Sequence, residues 1–152
     1  MNYWLLKSDP KEFGWEDLKK QASRRTMWDG VRNYQARNFL KKMEQGDQAL
    51  FYHSSTQPQH ICGIVNIVRE AYPDSTQFMK DHAHYDPKAS QENPIWFMVD
   101  IQFHQEILPP ITREELKNMN NLSEMLLFKN TRLSVLPIDQ DHWNIILKLR
   151  KI

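Results

Sequence analysis

The sequence predicts an α+β fold built on a small, mixed, mostly antiparallel sheet or barrel with short helices around it. Three observations predict this. Several strand-like stretches follow one another without helices long enough for repeated βαβ units. Residues 95–104 alternate cleanly, with Ile95, Phe97, Val99, Ile101 and Phe103 on one side and Trp96, Met98, Asp100, Gln102 and His104 on the other. Helical periodicity is confined to short segments. The 152 residues carry no internal repeat, low-complexity tract or Pro/Gly/Ser linker, so one domain is expected over 1–152.

Tyr3 to Lys7 is apolar enough for a strand, and Ser8-Asp9-Pro10 ends it, because Pro removes a ladder donor. Trp15 to Lys20 reads as a short helix. Asn33 is placed to cap a helix through Met43, whose Ala36, Phe39, Leu40 and Met43 share one face. Gly46-Asp47 is the turn after it. Gln48 to Ser54 and Ile61 to Glu70 read as strands, and Gly63 inside the second implies a bulge or a close backbone approach. Ala71 to Asn93 is mostly loop, long enough to be functional. Thr112-Arg113-Glu114-Glu115 has capping-box spacing and opens a helix. Asn121 to Lys129 holds a helical turn or two. Leu133 to Val135 is a short strand closed by Pro137. Asp139 or Asp141 caps a last helix through Leu149, with Trp143, Ile146 and Leu149 inward.

Composition excludes several classes. Hydrophobic residues are 40% and charged residues 26%, which fits a packed globular domain rather than a disordered chain. No apolar run approaches the ~18 residues of a membrane helix, so no membrane partner is expected. Met1 to Lys7 does not read as a secretory signal. Cys62 is the only cysteine, which leaves no internal disulfide and makes the cytoplasm the expected location. The net charge of +1 conceals an uneven distribution. Lys19 to Lys42 holds eight basic residues against Asp29 alone, a candidate phosphate-facing patch, although charge runs are commonly solvated surface.

Candidate chemistry narrows quickly. His82, His84 and Asp86 form H-x-H-x-D, but a loop with no fourth ligand nearby is a weak metal site, and none is expected. Cys62 sits in an apolar strand, where an unpaired Cys is usually a small hydrophobe. No nucleophile elbow or glycine-rich phosphate loop is present. No enzyme activity and no cofactor are therefore expected. Aromatic residues remain. Trp28 precedes an Asp-Gly turn and is flanked by Asp29, Arg32 and Asn33, and Trp96 shares a strand face with Asp100. Such side chains can stack on a base, read its edge and hold its phosphate.

Trp28-Asp29-Gly30-Val31-Arg32-Asn33-Tyr34-Gln35-Ala36-Arg37-Asn38 resembles the signature of the EVE domain family. So does Tyr3-Trp4-Leu5-Leu6-Lys7-Ser8-Asp9-Pro10, with Asp9 where Glu is usual. Gly46-Asp47 with Phe51-Tyr52-His53-Ser54, then Tyr72-Pro73-Asp74, Tyr85-Asp86-Pro87 and Pro94-Ile95-Trp96, match further motifs in order. Arg132-Leu133-Ser134-Val135-Leu136-Pro137 matches the last, with Leu136 where Gln is common. The resemblance implies a PUA-like barrel, distant kinship with YTH domains, and a non-catalytic reader of modified bases. Modified cytosine in DNA, such as 5-methylcytosine, is the first expectation and modified RNA the second. A structured RNA, a free modified nucleoside or another small planar ligand on the same fold is the alternative, and an enzyme acting on nucleotides is the third class.

Carried onto this chain, the resemblance makes Trp28 one wall of an aromatic cage and either Tyr52 or Trp96 the other. Val31 belongs to the same pocket. Asp29 and Asn33 would read the base edge. Lys7 and Ser8 would contact base or phosphate, and His53 and Ser54 would form floor or rim. Arg32 and Arg37 would hold phosphate, with Lys19, Lys20, Arg24 and Arg25 extending the basic face. A monomer is the default oligomeric state.

Overall fold

A computed structural model describes residues 1–152. Six strands form one sheet: β1 (Tyr3–Ser8), β2 (Arg25–Met27), β3 (Gln48–His53), β4 (His60–Pro73), β5 (Phe97–Thr112) and β6 (Val135–Ile138). Their order is β2-β5-β4-β3-β1-β6. Only β1 and β3 run parallel, and the other pairs are antiparallel. β2 and β6 are the edges, so hydrogen bonds do not close the ladder into a full barrel. Register shifts along β4 and β5 supply the bends that curl the sheet, since a bulge adds twist locally.

Helices α1 (Trp15–Lys20), α2 (Tyr34–Lys42), α3 (Arg113–Lys117), α4 (Leu126–Lys129) and α5 (Gln140–Lys148) surround the sheet. Asn33 caps α2 through its Oδ1, which accepts the Ala36 N–H at 2.9 Å. Thr112 does the same for α3 at Glu115. The apolar stripe of α2 then buries Ala36, Leu40 and, just past its end, Met43.

β3 is buried along both faces from Ala49 to Tyr52, with β1 and β4 on either side of it and the Trp15 and Trp28 rings packed on Phe51. The turn before β3 is fixed by Asp47, a buried carboxylate that accepts the Trp4 indole N–H and the Glu44 and Asn2 backbone N–H groups. At Gly63 both expectations hold. The β4 register shifts there, and an added Cβ would sit 2.4 Å from the Trp15 ring.

Three departures have physical reasons. β2 was not expected, because three residues are too few to show a period. β5 runs to Thr112 through Pro109-Pro110, since no residue between Glu106 and Ile111 pairs with β4 and the missing N–H groups cost no ladder bond. Pro137 lies within β6 rather than closing it, which an edge strand tolerates.

Candidate functional site

The segment after β2 is held to the sheet by one bond: the Trp28 N–H donates to Val99 O at 2.8 Å. Trp28 is buried and packs edge-on against Phe51, with ring centroids 5.4 Å apart. One face of this segment opens on a cavity of about 560 Å³. Lys7 and Ser8 at the end of β1 line it, as do residues 26–32, and residues 82–84 close the opposite side.

That opposite side is held by a buried network. Asp74 accepts the Gly30 N–H at 2.8 Å, the Arg32 Nη1 at 3.0 Å, and the Thr76 N–H at 2.8 Å. Burial alone would raise its carboxyl pKa, but the bond from the Thr76 hydroxyl, together with these three, outweighs that and holds it below the usual carboxylate range. Gln77, also fully buried, donates to Asp74 O and Trp96 O and accepts from the Ile95 and Trp96 N–H groups. The loop from Asp74 to Trp96 is therefore stitched closed at its base, and its tip is set against Gly30.

Gly30 is required there. Its φ is +82°, and a Cβ would fall 2.6 Å from the His84 ring. His84 Nδ1 is buried without a hydrogen-bond partner. His82 Nδ1 accepts the His84 N–H at 3.0 Å, which fixes the ring beside it.

The expected site residues divide. Trp28, Asp29, Val31, Lys7 and Ser8 line the cavity together. Tyr52 and Trp96 do not. Tyr52 is wholly buried in β3, its hydroxyl donates to Gln59 Oε1, and burial pushes its pKa up to about 12. Trp96 anchors the loop by donating its indole N–H to Asp86 Oδ2 at 2.8 Å, under the Tyr34 ring. The second wall of the cavity is the His82–His84 tip. Asn33 is spent on capping α2 and lies off the cavity. His53 Nε2 accepts the Trp15 N–H, and Ser54 donates to Ser8 O, so both stand behind the site.

Arg32, expected at phosphate, spends its donors within the chain. Its five N–H donors go to His84 O twice, Val31 O, Asp74 Oδ2 and Thr76 Oγ1. Arg37 reaches Ile95 O and Asn38 Oδ1 and lies off the cavity. Lys19 pairs with Glu106 and Glu16, and Arg25 with Asp100. Arg24 lies over the Phe103 ring. Among Lys19, Lys20, Arg24 and Arg25, only Arg24 and the exposed Lys20 form no ion pair.

His82, His84 and Asp86 do not converge as a metal set, because Asp86 is turned to Trp96. The wall they help build was missed because two histidines in a loop signalled metal chemistry. The usable signal was Gly30, whose backbone freedom implies a close neighbour. A separate trio, His53, His60 and Cys62, brings ligand atoms within 4.8 Å of one another. The bond from the Trp15 N–H occupies His53 Nε2 there.

The EVE domain family model matches residues 2–149. Thymocyte nuclear protein 1 of Homo sapiens is 43% identical over 167 aligned residues, covering 99% of this chain and 74% of that protein. A crystal structure of human THYN1 protein in complex with 5-methylcytosine containing DNA is similar with a TM-score of 0.96. It is 43% identical, and the match covers 100% of this chain and 99% of that one. The YTH domain of Zygosaccharomyces rouxii MRB1 protein shares the fold at 16% identity and a TM-score of 0.56, over 99% of this chain and 86% of that one.

Proposed function

The chain belongs to the EVE domain family, and from that premise we propose that it binds nucleic acid and captures a modified base, foremost modified cytosine in DNA, between Trp28 and the His82–His84 tip. One observation carries this reading. The cavity walled by Trp28 lies in a chain similar over its full length to a human relative whose structure holds 5-methylcytosine DNA.

The geometry suits capture. Trp28 offers an aromatic surface, and stacking a base is worth roughly 1–3 kcal/mol. The Asp29 carboxylate is exposed at the cavity and engages no group of the chain, so it can accept from an exocyclic amine. Extruding a base from a duplex costs a few kcal/mol, and a single strand avoids most of that cost. A methyl-sized group in an apolar slot discriminates by about 1–3 kcal/mol, so this site prefers the modified base rather than requiring it.

We read the domain as a binder without catalysis. Cys62, the only thiol, supports this, because burial holds its pKa up to about 12 and leaves little thiolate at neutral pH.

Binding of DNA and RNA oligonucleotides carrying unmodified, methylated or hydroxymethylated cytosine, measured at two salt concentrations, tests the reading. Methylated-cytosine DNA is expected to bind several-fold to about a hundredfold more tightly than its unmodified twin. Equal affinity across the panel would overturn it. A preference carried by the free nucleoside, with no salt dependence, would replace nucleic acid with a small planar ligand.

A further inference from the structure

A second cavity, of about 580 Å³, adjoins the first, and Lys7 lines both. Its character differs. Leu127 and Pro58 are the apolar residues in its lining, and no aromatic ring lines it for a base to stack on. Three cations line it, Lys7, Arg113 and Lys117, against one carboxylate, Glu114. None of these four forms an ion pair within the chain.

The cations are also positioned. Lys7 Nζ donates to Thr131 O at 3.2 Å, which leaves two of its three protons free. The Arg113 guanidinium sits 5.1 Å from the centre of the Phe128 ring, a contact that holds its plane without using its donors. Burial first, and the positive charge of Arg113 second, lower the Lys7 pKa. Two partly buried cations thus face a shared polar hollow and repel one another. An anion seated between them would relieve the repulsion and meet the open N–H groups.

We propose that this hollow holds the backbone phosphate flanking the captured base, with Lys7 as the ridge between base and phosphate and Arg113 and Lys117 as the further contacts. The inference rests on the base-capture reading for its ligand. It moves the principal phosphate contacts away from the Lys19–Arg25 run, where Lys19 and Arg25 are already paired with acids.

Three variants test it: Arg113→Gln, Lys117→Gln and the double variant. Lys117 is exposed, so its substitution leaves the fold intact. Binding of a single-stranded oligonucleotide with one 5-methylcytosine, of its unmodified twin and of free 5-methyldeoxycytidine is followed across about 50 to 200 mM salt. The double variant is expected to bind both oligonucleotides at least about tenfold more weakly. Its plot of log affinity against log salt should be shallower by about 0.7 or more. Nucleoside affinity and the preference for the methylated base should be unchanged.

An unchanged slope and affinity for both oligonucleotides, with the methyl preference intact, would overturn the phosphate site alone. A reduced slope in a protein whose parent shows no methyl preference would keep the phosphate site and remove the base reading.

Discussion

Arg32 Nη1 lies 3.0 Å from Asp74 Oδ2, and the same carboxylate oxygen receives the Gly30 N–H. This pair ties the Trp28 segment to the loop that forms the facing wall, across 42 residues of sequence. The Asp74 side chain is fully buried, so removing its partner strands a charge. Arg32→Ala is expected to cost about 3 kcal/mol or more in denaturant unfolding. It should weaken ligand binding without changing the salt slope. A shallower slope with unchanged stability would instead make Arg32 a phosphate contact.

Trp28→Ala is expected to abolish capture, but it also destabilises, because the ring is only 7% exposed and packs on Phe51. Truncation of a buried Trp costs about 3–5 kcal/mol. Trp28→Phe separates the two effects. It keeps an aromatic face, so it should retain the fold and bind weakly but measurably. If Trp28→Phe and a folded Trp28→Ala bound methylated-cytosine DNA as the parent does, Trp28 would not be a wall of the base site.

Gly30→Ala strains a backbone at φ +82° and drives a methyl into the His84 ring. The left-handed conformation alone costs about 1–2 kcal/mol for a residue with a Cβ. Displacement of His84 should then lower affinity more than stability. Parent-like binding by this variant would mean that the tip can move aside without consequence.

His53 accepts the Trp15 N–H, which requires Nε2 to be unprotonated. Burial, then the neighbouring His60, lower its pKa, while Asp17 opposes them. Between its ordinary value of about 6.5 and the lowered folded value, the unfolded chain binds the proton and the native one does not. Stability therefore falls as pH drops below about 6.5, by at most about 1.4 kcal/mol per pH unit from this residue. It levels off below the folded pKa. Thermal unfolding from pH 7.5 to 5 should show the decline in the parent and a flatter profile in His53→Asn.

Much of the architecture was legible because its cause is local. The Asn33 and Thr112 caps, the apolar face of α2 and the alternation from Ile95 onward each depend on residues a few positions apart. Gly63 announced a close neighbour without naming Trp15. The site was legible by halves. Lys7, Ser8, Trp28, Asp29 and Val31 stand in continuous motifs, and they meet at the cavity.

Pairing across the chain was settled only by the folded structure. Arg32 and Trp96 had the chemistry of ligand contacts, and Tyr52 that of a cage wall. Whether a guanidinium or ring is free depends on which distant groups reach it first. Asp74, Gln77 and Asp86 reach from a loop more than forty residues beyond Arg32, and they consume Arg32 and Trp96 as supports. Burial in β3 does the same to Tyr52. The sequence alone determined β1, β3 and β4, the caps and one wall of the candidate site. Folding decided the other wall, because hydrogen-bond valence is spent in three dimensions and local spacing cannot show where.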